Sequence, residues 1–342
     1  MPTGSSPSDP MEETKVVAWY LRERQKIWRL ARKALPASIW QTNSKKHKDM
    51  KGLSILIPEY NCDCTQLVRD LHRQCASAQL PSWEIVVADD GSIDETAVNQ
   101  NRTIGTWVNC TFIRNEQNMG RAAIRNFLAE KAQYDRLIFI DSDMCIVSED
   151  FVKTYLASSA PVIYGGYSIV GNHAGNLRYD YERQAEHSHR ASVRQRNCYK
   201  DFHTSNFCID RSIFIAHPLD VSYEGYGYED VAYGDQLCRA GIPIQHIDNP
   251  VGYYDFETNE SYMLKVEESL LTLYRHRSQL KDYSRIIAVT AVVERIHLHH
   301  LAGALFRLVQ NKMRRQIVTC PRLMLFTLYK IGYYINLARC QK

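Results

Sequence analysis

Two aspartates one residue apart, Asp141-Ser142-Asp143, are where chemistry is easiest to read in this 342-residue chain. Alternate side chains leaving an extended strand point to one side, so both carboxylates can reach the same pole. Hard oxygen ligands paired in this way suit Mg²⁺ or Mn²⁺. The competing use of Asp143 is as a helix cap, because Met144 to Tyr155 reads as helical. Polar clusters also follow other apolar runs: Pro58-Glu59-Tyr60-Asn61 and Asp89-Asp90-Gly91-Ser92. Glu229-Asp230 comes after a glycine-rich turn and opens a helical stretch, Val231 to Arg239. Each has an ordinary explanation, since Asp-Gly-Ser is turn chemistry and a carboxylate at a helix start caps it. Their order and spacing together are harder to attribute to turns.

The elements that must position these residues follow from apolar patterning. Leu53 to Ile57, Glu84 to Ala88, Thr111 to Arg114 and Leu137 to Ile140 are short runs of buried-strand character. Amphipathic stretches alternate with them. Leu67, Leu71 and Cys75 recur every four residues, and Ala122, Ala123, Asn126, Phe127, Ala129 and Ala132 form a small-residue face after Gly120. The alternation predicts an α/β fold: a mostly parallel central sheet flanked by helices, Rossmann-like, with added N- and C-terminal helices. In such sheets ligands lie beyond the carboxyl ends of the strands, where the polar clusters stand.

With those motifs in order, the sequence resembles the family-2 inverting glycosyltransferases of the A-type fold. The resemblance rests on Ile55 to Asn61, Val86 to Asp94, Asn118 to Asn126, Ile138 to Asp143 and Gly225 to Asp230, and spans about residues 51 to 260. It implies transfer from a nucleotide sugar, with UDP as the expected carrier. Pro58 and Tyr60 would line the nucleobase, and Asp89 or Asp90 would accept the uracil N3 proton, Asp90 having turn capping as its alternative. Gly120, Arg121, Arg125 and Ser142 would complete the nucleotide-sugar site, the guanidinium groups facing the nucleotide or its phosphates, with a surface ion pair the other reading of Arg125. Asp143 would ligate Mn²⁺ or Mg²⁺, and Asp141 the ribose or, through water, the metal. Asp230 would be the general base, with Glu229 orienting the acceptor. His203-Thr204-Ser205-Asn206 could line the acceptor side, although His203 reads more simply as structural. One departure stands out: Tyr253 occupies the place where the family pattern has a His that can complete the metal site, leaving Asp255 or His246 as substitutes.

Composition sets outer limits. With 45% hydrophobic and 23% charged residues the chain is globular, which excludes wholesale disorder, collagen and a bare coiled coil. Its ten cysteines show no repeated zinc spacing and read as reduced, mostly buried thiols of a cytoplasmic protein. Three N-glycosylation sequons therefore read as accidental, the chain opening without a secretory signal pattern. The expected organisation is a disordered tail over 1–14, a basic amphipathic helix and linker over 15–50, the catalytic domain over 51–260 and a helical basic extension over 261–342. Beyond Glu294 there is no acid, while nine Lys and Arg remain. Both basic ends suit an anionic membrane surface, so the expected location is peripheral, at the inner face of the cytoplasmic membrane. Nucleic acid is not an expected partner, because no nucleic-acid motif accompanies the basic excess. The expected acceptor is a glycan or lipid-linked saccharide in surface polysaccharide or lipopolysaccharide synthesis. A sugar nucleotidyltransferase is the alternative, but Pro58 to Asn61 lacks the glycine-rich basic loop it needs. A non-catalytic nucleotide- or glycan-binding homologue is the other.

Overall fold

A computed structural model describes residues 52–78 and 80–340. The expected tail and basic helix over 1–50 lie outside the described residues. The chain alternates as the patterning requires: β1 (Leu53–Glu59), α1 (Thr65–Ser77), β2 (Trp83–Asp89), α2 (Glu95–Arg102), β3 (Cys110–Arg114), α3 (Arg121–Lys131) and β4 (Arg136–Ile140). It continues through β5 (Met144–Ile146), α4 (Phe151–Leu156), β6 (Val162–Tyr164), β7 (Tyr167–Ile169), α5 (Leu177–Ala185), β8 (Asn206–Asp210) and α6 (Arg211–Ala216). Next come α7 (Glu229–Arg239), β9 (Ile244–His246), β10 (Val251–Tyr253), α8 (Asn259–Arg275), α9 (Arg285–Arg295), α10 (His299–Thr319) and α11 (Leu323–Cys340).

Seven strands form the main sheet in the order β3-β2-β1-β4-β8-β6-β9. β1, β2, β3 and β4 are mutually parallel, and β8 alone runs against its neighbours. The chain builds outward from β1 through β2 to β3, then returns so that β4 lies on the other flank of β1. That reversal opens a crevice at the carboxyl ends of β1 and β4, the usual ligand position in such a sheet. Pro58 lies inside β1 rather than ending it; the ladder to β4 stops at Leu56, so the missing N–H falls beyond that pairing.

Alternating strand residues feed two apolar layers. Ile55, Ile57, Ile85, Val87 and Ile138 pack under α1 and α4, while Leu56, Val86, Leu137 and Phe139 meet Ile124 and Leu128 of α3 and Tyr233 and Leu237 of α7. A third cluster joins α8, α10 and α11 through Met263, Leu270, Phe306, Ile317, Phe326 and Tyr329. From Asn259 onward the described chain is mostly helical, and the cluster it buries also takes in Leu177 of α5 and Tyr223, so these helices pack onto the preceding region. The nine cysteines whose side chains are described are all free, yet only Cys64, Cys75 and Cys208 are fully buried, fewer than the composition suggested.

One local expectation fails. Met144 to Tyr155 is not a continuous helix: Met144, Cys145 and Ile146 pair antiparallel with Tyr253, Gly252 and Val251, and helix α4 begins only at Phe151. Pairing with a distant strand overrides local helical preference here. Asp143 therefore enters a strand and caps no helix.

Candidate active site at the carboxyl end of the sheet

The ends of β1 and β2 are wired together by short hydrogen bonds. Asp90 accepts from the backbone N–H groups of Met119 at 2.8 Å and Gly120 at 3.0 Å, which fixes the turn entering α3. Gly120 has φ +88°, a conformation that glycine adopts without the steric cost of a Cβ. Asp89 is fully buried, accepts from Ser92 N–H at 2.8 Å, and has Arg114 Nε 3.4 Å from its other oxygen. Asn61 accepts from the N–H groups of Ile93 and Asp94, while its own N–H donates to Ser92 Oγ. Glu59 accepts from Cys62 N–H at 2.7 Å; burial, reinforced by the charge of Asp89, pushes its carboxyl up to about 7. Tyr60 follows at the rim, half exposed to solvent. Two loops from separate strands thus form one rigid border, with Tyr60 presented over it.

Beyond β4, Asp141 is gripped by two arginines of α3. Arg125 NH2 donates to Asp141 Oδ1, and Arg121 NH2 stands 3.8 Å from Oδ2. Arg125 is buried, so its ion pair is internal rather than on the surface. Ser142 is buried too, its carbonyl receiving the Cys62 thiol at 3.5 Å. Burial raises the pKa of Asp143, and the Asp141 charge adds to that, while Arg178, Arg121 and Lys265 act in the opposite direction. Arg178 and Lys265 come from α5 and α8, where each meets Glu257 at 3.0 Å. Tyr253 lies buried under the Arg178 guanidinium, 4.3 Å from ring centroid to Cζ, and its hydroxyl donates to Glu257 at 3.2 Å.

The Glu229-Asp230 pair is delivered by a strained turn. Gly225 and Gly227 have positive φ, and Tyr228, directly before the pair, is itself left-handed at φ +72°. For a tyrosine that conformation costs on the order of 1–3 kcal/mol, a kind of strain that gathers where geometry serves function. Glu229 is buried and accepts from Arg121 Nε at 2.5 Å. Asp230 Oδ1 accepts from Val231 N–H, and Oδ2 lies 2.7 Å from His203 Nδ1. Burial alone would raise the Asp230 pKa, but the hydrogen bond and charge of His203 outweigh it and hold the carboxyl below its ordinary value. Burial likewise opposes charge on His203, and Asp230 prevails there, so the imidazole pKa is raised. His203 also borders a small cavity of about 100 Å³ lined by Tyr164, Tyr167, His189, Arg194 and Asp201.

Arg121 thus joins the Asp141 pole to the Glu229-Asp230 pair. Two side chains here escaped sequence reading, Arg178 and Lys265, whose charges act on Asp143; His203, for which the acceptor side was one reading and a structural role the simpler one, pairs with Asp230. None has a local signal, because helix packing and the return of the chain before β8 bring them in. His246, considered as a metal ligand, is instead bound to the Cys198 carbonyl at 2.8 Å and packed edge-on against Tyr164. Among the described residues no group of three or more His, Cys, Asp or Glu could hold a metal by itself. The Asp141-Asp143 pair still fits a divalent cation: crowded carboxylates, one with a raised pKa, gain from a positive ion, and Mg²⁺-like ions commonly complete their shell with phosphate and water.

Residues 54–215 match Glycosyl transferase family 2. This region belongs to that family. An uncharacterized glycosyltransferase of Haemophilus influenzae is 34% identical over 103 residues, covering 30% of this chain and 32% of the relative. Chondroitin synthase of Pasteurella multocida is 24% identical over 336 residues, covering 82% of this chain and 34% of its own. The chain spans 32% and 49% of the length of two Haemophilus influenzae relatives. In fold, the family-2 region and its surroundings are similar to a mannosyltransferase of Pyrobaculum calidifontis, solved with GDP-Man and Mn²⁺ (TM-score 0.50, 14% identity, 85% of this chain and 86% of that one). The architecture is the A-type glycosyltransferase fold.

Proposed function

We propose that the chain transfers a sugar from a nucleotide sugar, with UDP as carrier, to a hydroxyl of a glycan or lipid-linked acceptor in surface polysaccharide synthesis, inverting the anomeric carbon. The observation that carries this reading is Arg121, whose Nε meets Glu229 and whose NH2 faces Asp141. One cation therefore binds together a diphosphate-side carboxylate and the pair that includes the base.

In the reaction, Pro58 and Tyr60 border the nucleobase and the Asp89-Asp90 turn meets its polar edge. Arg178 and Lys265, positively charged and close to Asp143, steady the diphosphate. Mn²⁺ or Mg²⁺, held by Asp143 with Asp141 nearby, offsets charge on the leaving diphosphate when bound. The acceptor oxygen attacks the anomeric carbon, the bond to the diphosphate oxygen breaks with its electron pair, and the acceptor proton passes to Asp230. Glu229 acts through Arg121, and His203 fixes the direction in which the Asp230 carboxylate faces. The lowered pKa of Asp230 keeps it ionised and able to take the proton.

The test is a thermal-shift screen of the full chain against UDP, GDP, CMP and dTDP, each with and without Mn²⁺, since a ligand of the folded state raises the melting temperature. A Mn²⁺-dependent shift with UDP is expected. No shift with any nucleotide would overturn the donor site and favour a non-catalytic homologue.

A further inference from the structure

We infer that the outer face of α9 and α10 is a docking surface for an anionic lipid bilayer. Ten of the nineteen large apolar side chains exposed among the described residues fall between Val289 and Leu328. On α9 and the turn after it they include Val292 and Ile296; on α10, Leu301, Leu305 and Leu308, the last 82% exposed. Residues 301, 305 and 308 follow helical spacing, and the same stripe continues through Lys312 and Arg315. The opposite face of α10 is occupied: Phe306 and Ile317 are buried in the third core cluster, against α8 and α11. Solvent-facing leucines are therefore not a core misplaced outward. They form a second face that no other described residue covers.

Charge selects what covers it. No Asp or Glu occurs after Glu294, and Arg295, Arg307, Lys312, Arg315 and Arg322 are all exposed. Arg314, by contrast, is engaged by Glu260 and Glu267. A second copy of this chain laid face to face would oppose like charges across a two-fold axis, which costs free energy. A surface of anionic head groups over hydrocarbon complements both the leucines and their basic fringe. No helix of the described residues is long and apolar enough to cross a membrane, so the helices lie on the bilayer. The surface rests on the reading that the acceptor is presented at a membrane, but lipid binding is measured without sugar transfer, so either claim can fail alone.

The test mixes the full chain with vesicles of phosphatidylcholine alone or with phosphatidylglycerol, and measures co-sedimentation. Partitioning is expected to be about tenfold stronger on the anionic vesicles and to fall as salt rises. The double variants Leu305→Glu with Leu308→Glu, and Arg307→Glu with Lys312→Glu, alter exposed residues only; each is expected to weaken binding about tenfold while leaving the melting temperature unchanged. Equal partitioning of the wild type onto neutral and anionic vesicles, or no partitioning, would overturn the inference without recourse to any variant. So would sedimentation showing a dimer that the leucine variant dissociates. Transfer to a soluble acceptor, assayed separately, reports on the active site alone.

Discussion

The two halves of the candidate site hold their carboxylates by different means. On the nucleotide side Asp90 is bound by the backbone N–H groups of Met119 and Gly120, and Asp89 by that of Ser92. On the acceptor side Glu229 is held by the Arg121 side chain and Asp230 by the His203 ring, from 108 and 27 residues away in sequence. Backbone donors do not titrate, and Arg114, 3.4 Å from Asp89, keeps its charge throughout, so the first half is a fixed frame. Side-chain cations can be removed by mutation and, for His203, by pH, so the second half is adjustable. Under the proposed function, in which the site binds one constant moiety and activates a hydroxyl, this division is an advantage.

Breaking the adjustable half should cost most. Asp230→Asn is expected to lower transfer by about 10²–10⁴-fold while leaving nucleotide binding intact, checked by product formation beside a nucleotide titration; near-normal transfer would remove Asp230 from the chemistry. Arg121→Ala should follow at about 10²-fold in kcat/KM, because it frees Glu229 and half-frees Asp141. If the two halves were independent, its effect would fall on nucleotide affinity alone.

His203 gives a subtler break, read through pH. Protonated, it draws charge from Asp230 and weakens it as a base; as pH rises through the raised His203 pKa, above the ordinary 6.5, the proton leaves and the transfer rate should climb. In His203→Gln that rise should vanish, leaving a flat profile in rate against pH. Stability moves oppositely. The raised His203 contribution is complete below pH 6.5 and lost through its folded pKa, and the lowered Asp230 contribution is present above pH 3.8 and lost on acidification below it. The pair therefore stabilises most between those values, and melting curves of the wild type and His203→Gln should diverge there.

The smallest effect sharpens the fixed half. Glu59, raised from 4.5 to about 7, binds its proton more tightly when folded, so the protein loses stability as pH climbs through that interval. Glu59→Gln should melt at or near the wild-type temperature around pH 4 and a few degrees above it around pH 8. A melting temperature that does not diverge with pH would show Glu59 to be ionised already in the native turn.

What the sequence disclosed follows the same division. The runs Leu53 to Ile57 and Leu137 to Ile140, the turn at Asp89-Asp90 and the helix start after Gly120 are local, and each appears at or within a residue or two of its expected place. Pairing with β10 drew Met144 to Ile146 into a strand, because a tertiary partner 107 residues away outweighs a local preference. The positions of Arg178, Lys265 and His203 depend on how α5, α8 and the segment before β8 fold back, and no spacing within those segments encodes it. Likewise, the acid-free end after Glu294 was visible as composition, but only helix packing separates the buried Phe306 from the exposed Leu305 beside it.

The central claim is a single displacement at the anomeric carbon, with Asp230 as base. With the sugar nucleotide that the binding screen selects, proton NMR of the first-formed product reads the anomeric configuration directly. The account predicts that the configuration of the donor is inverted in the product. Retention of the donor configuration would contradict it, because a single in-line displacement by the acceptor oxygen inverts the carbon it attacks.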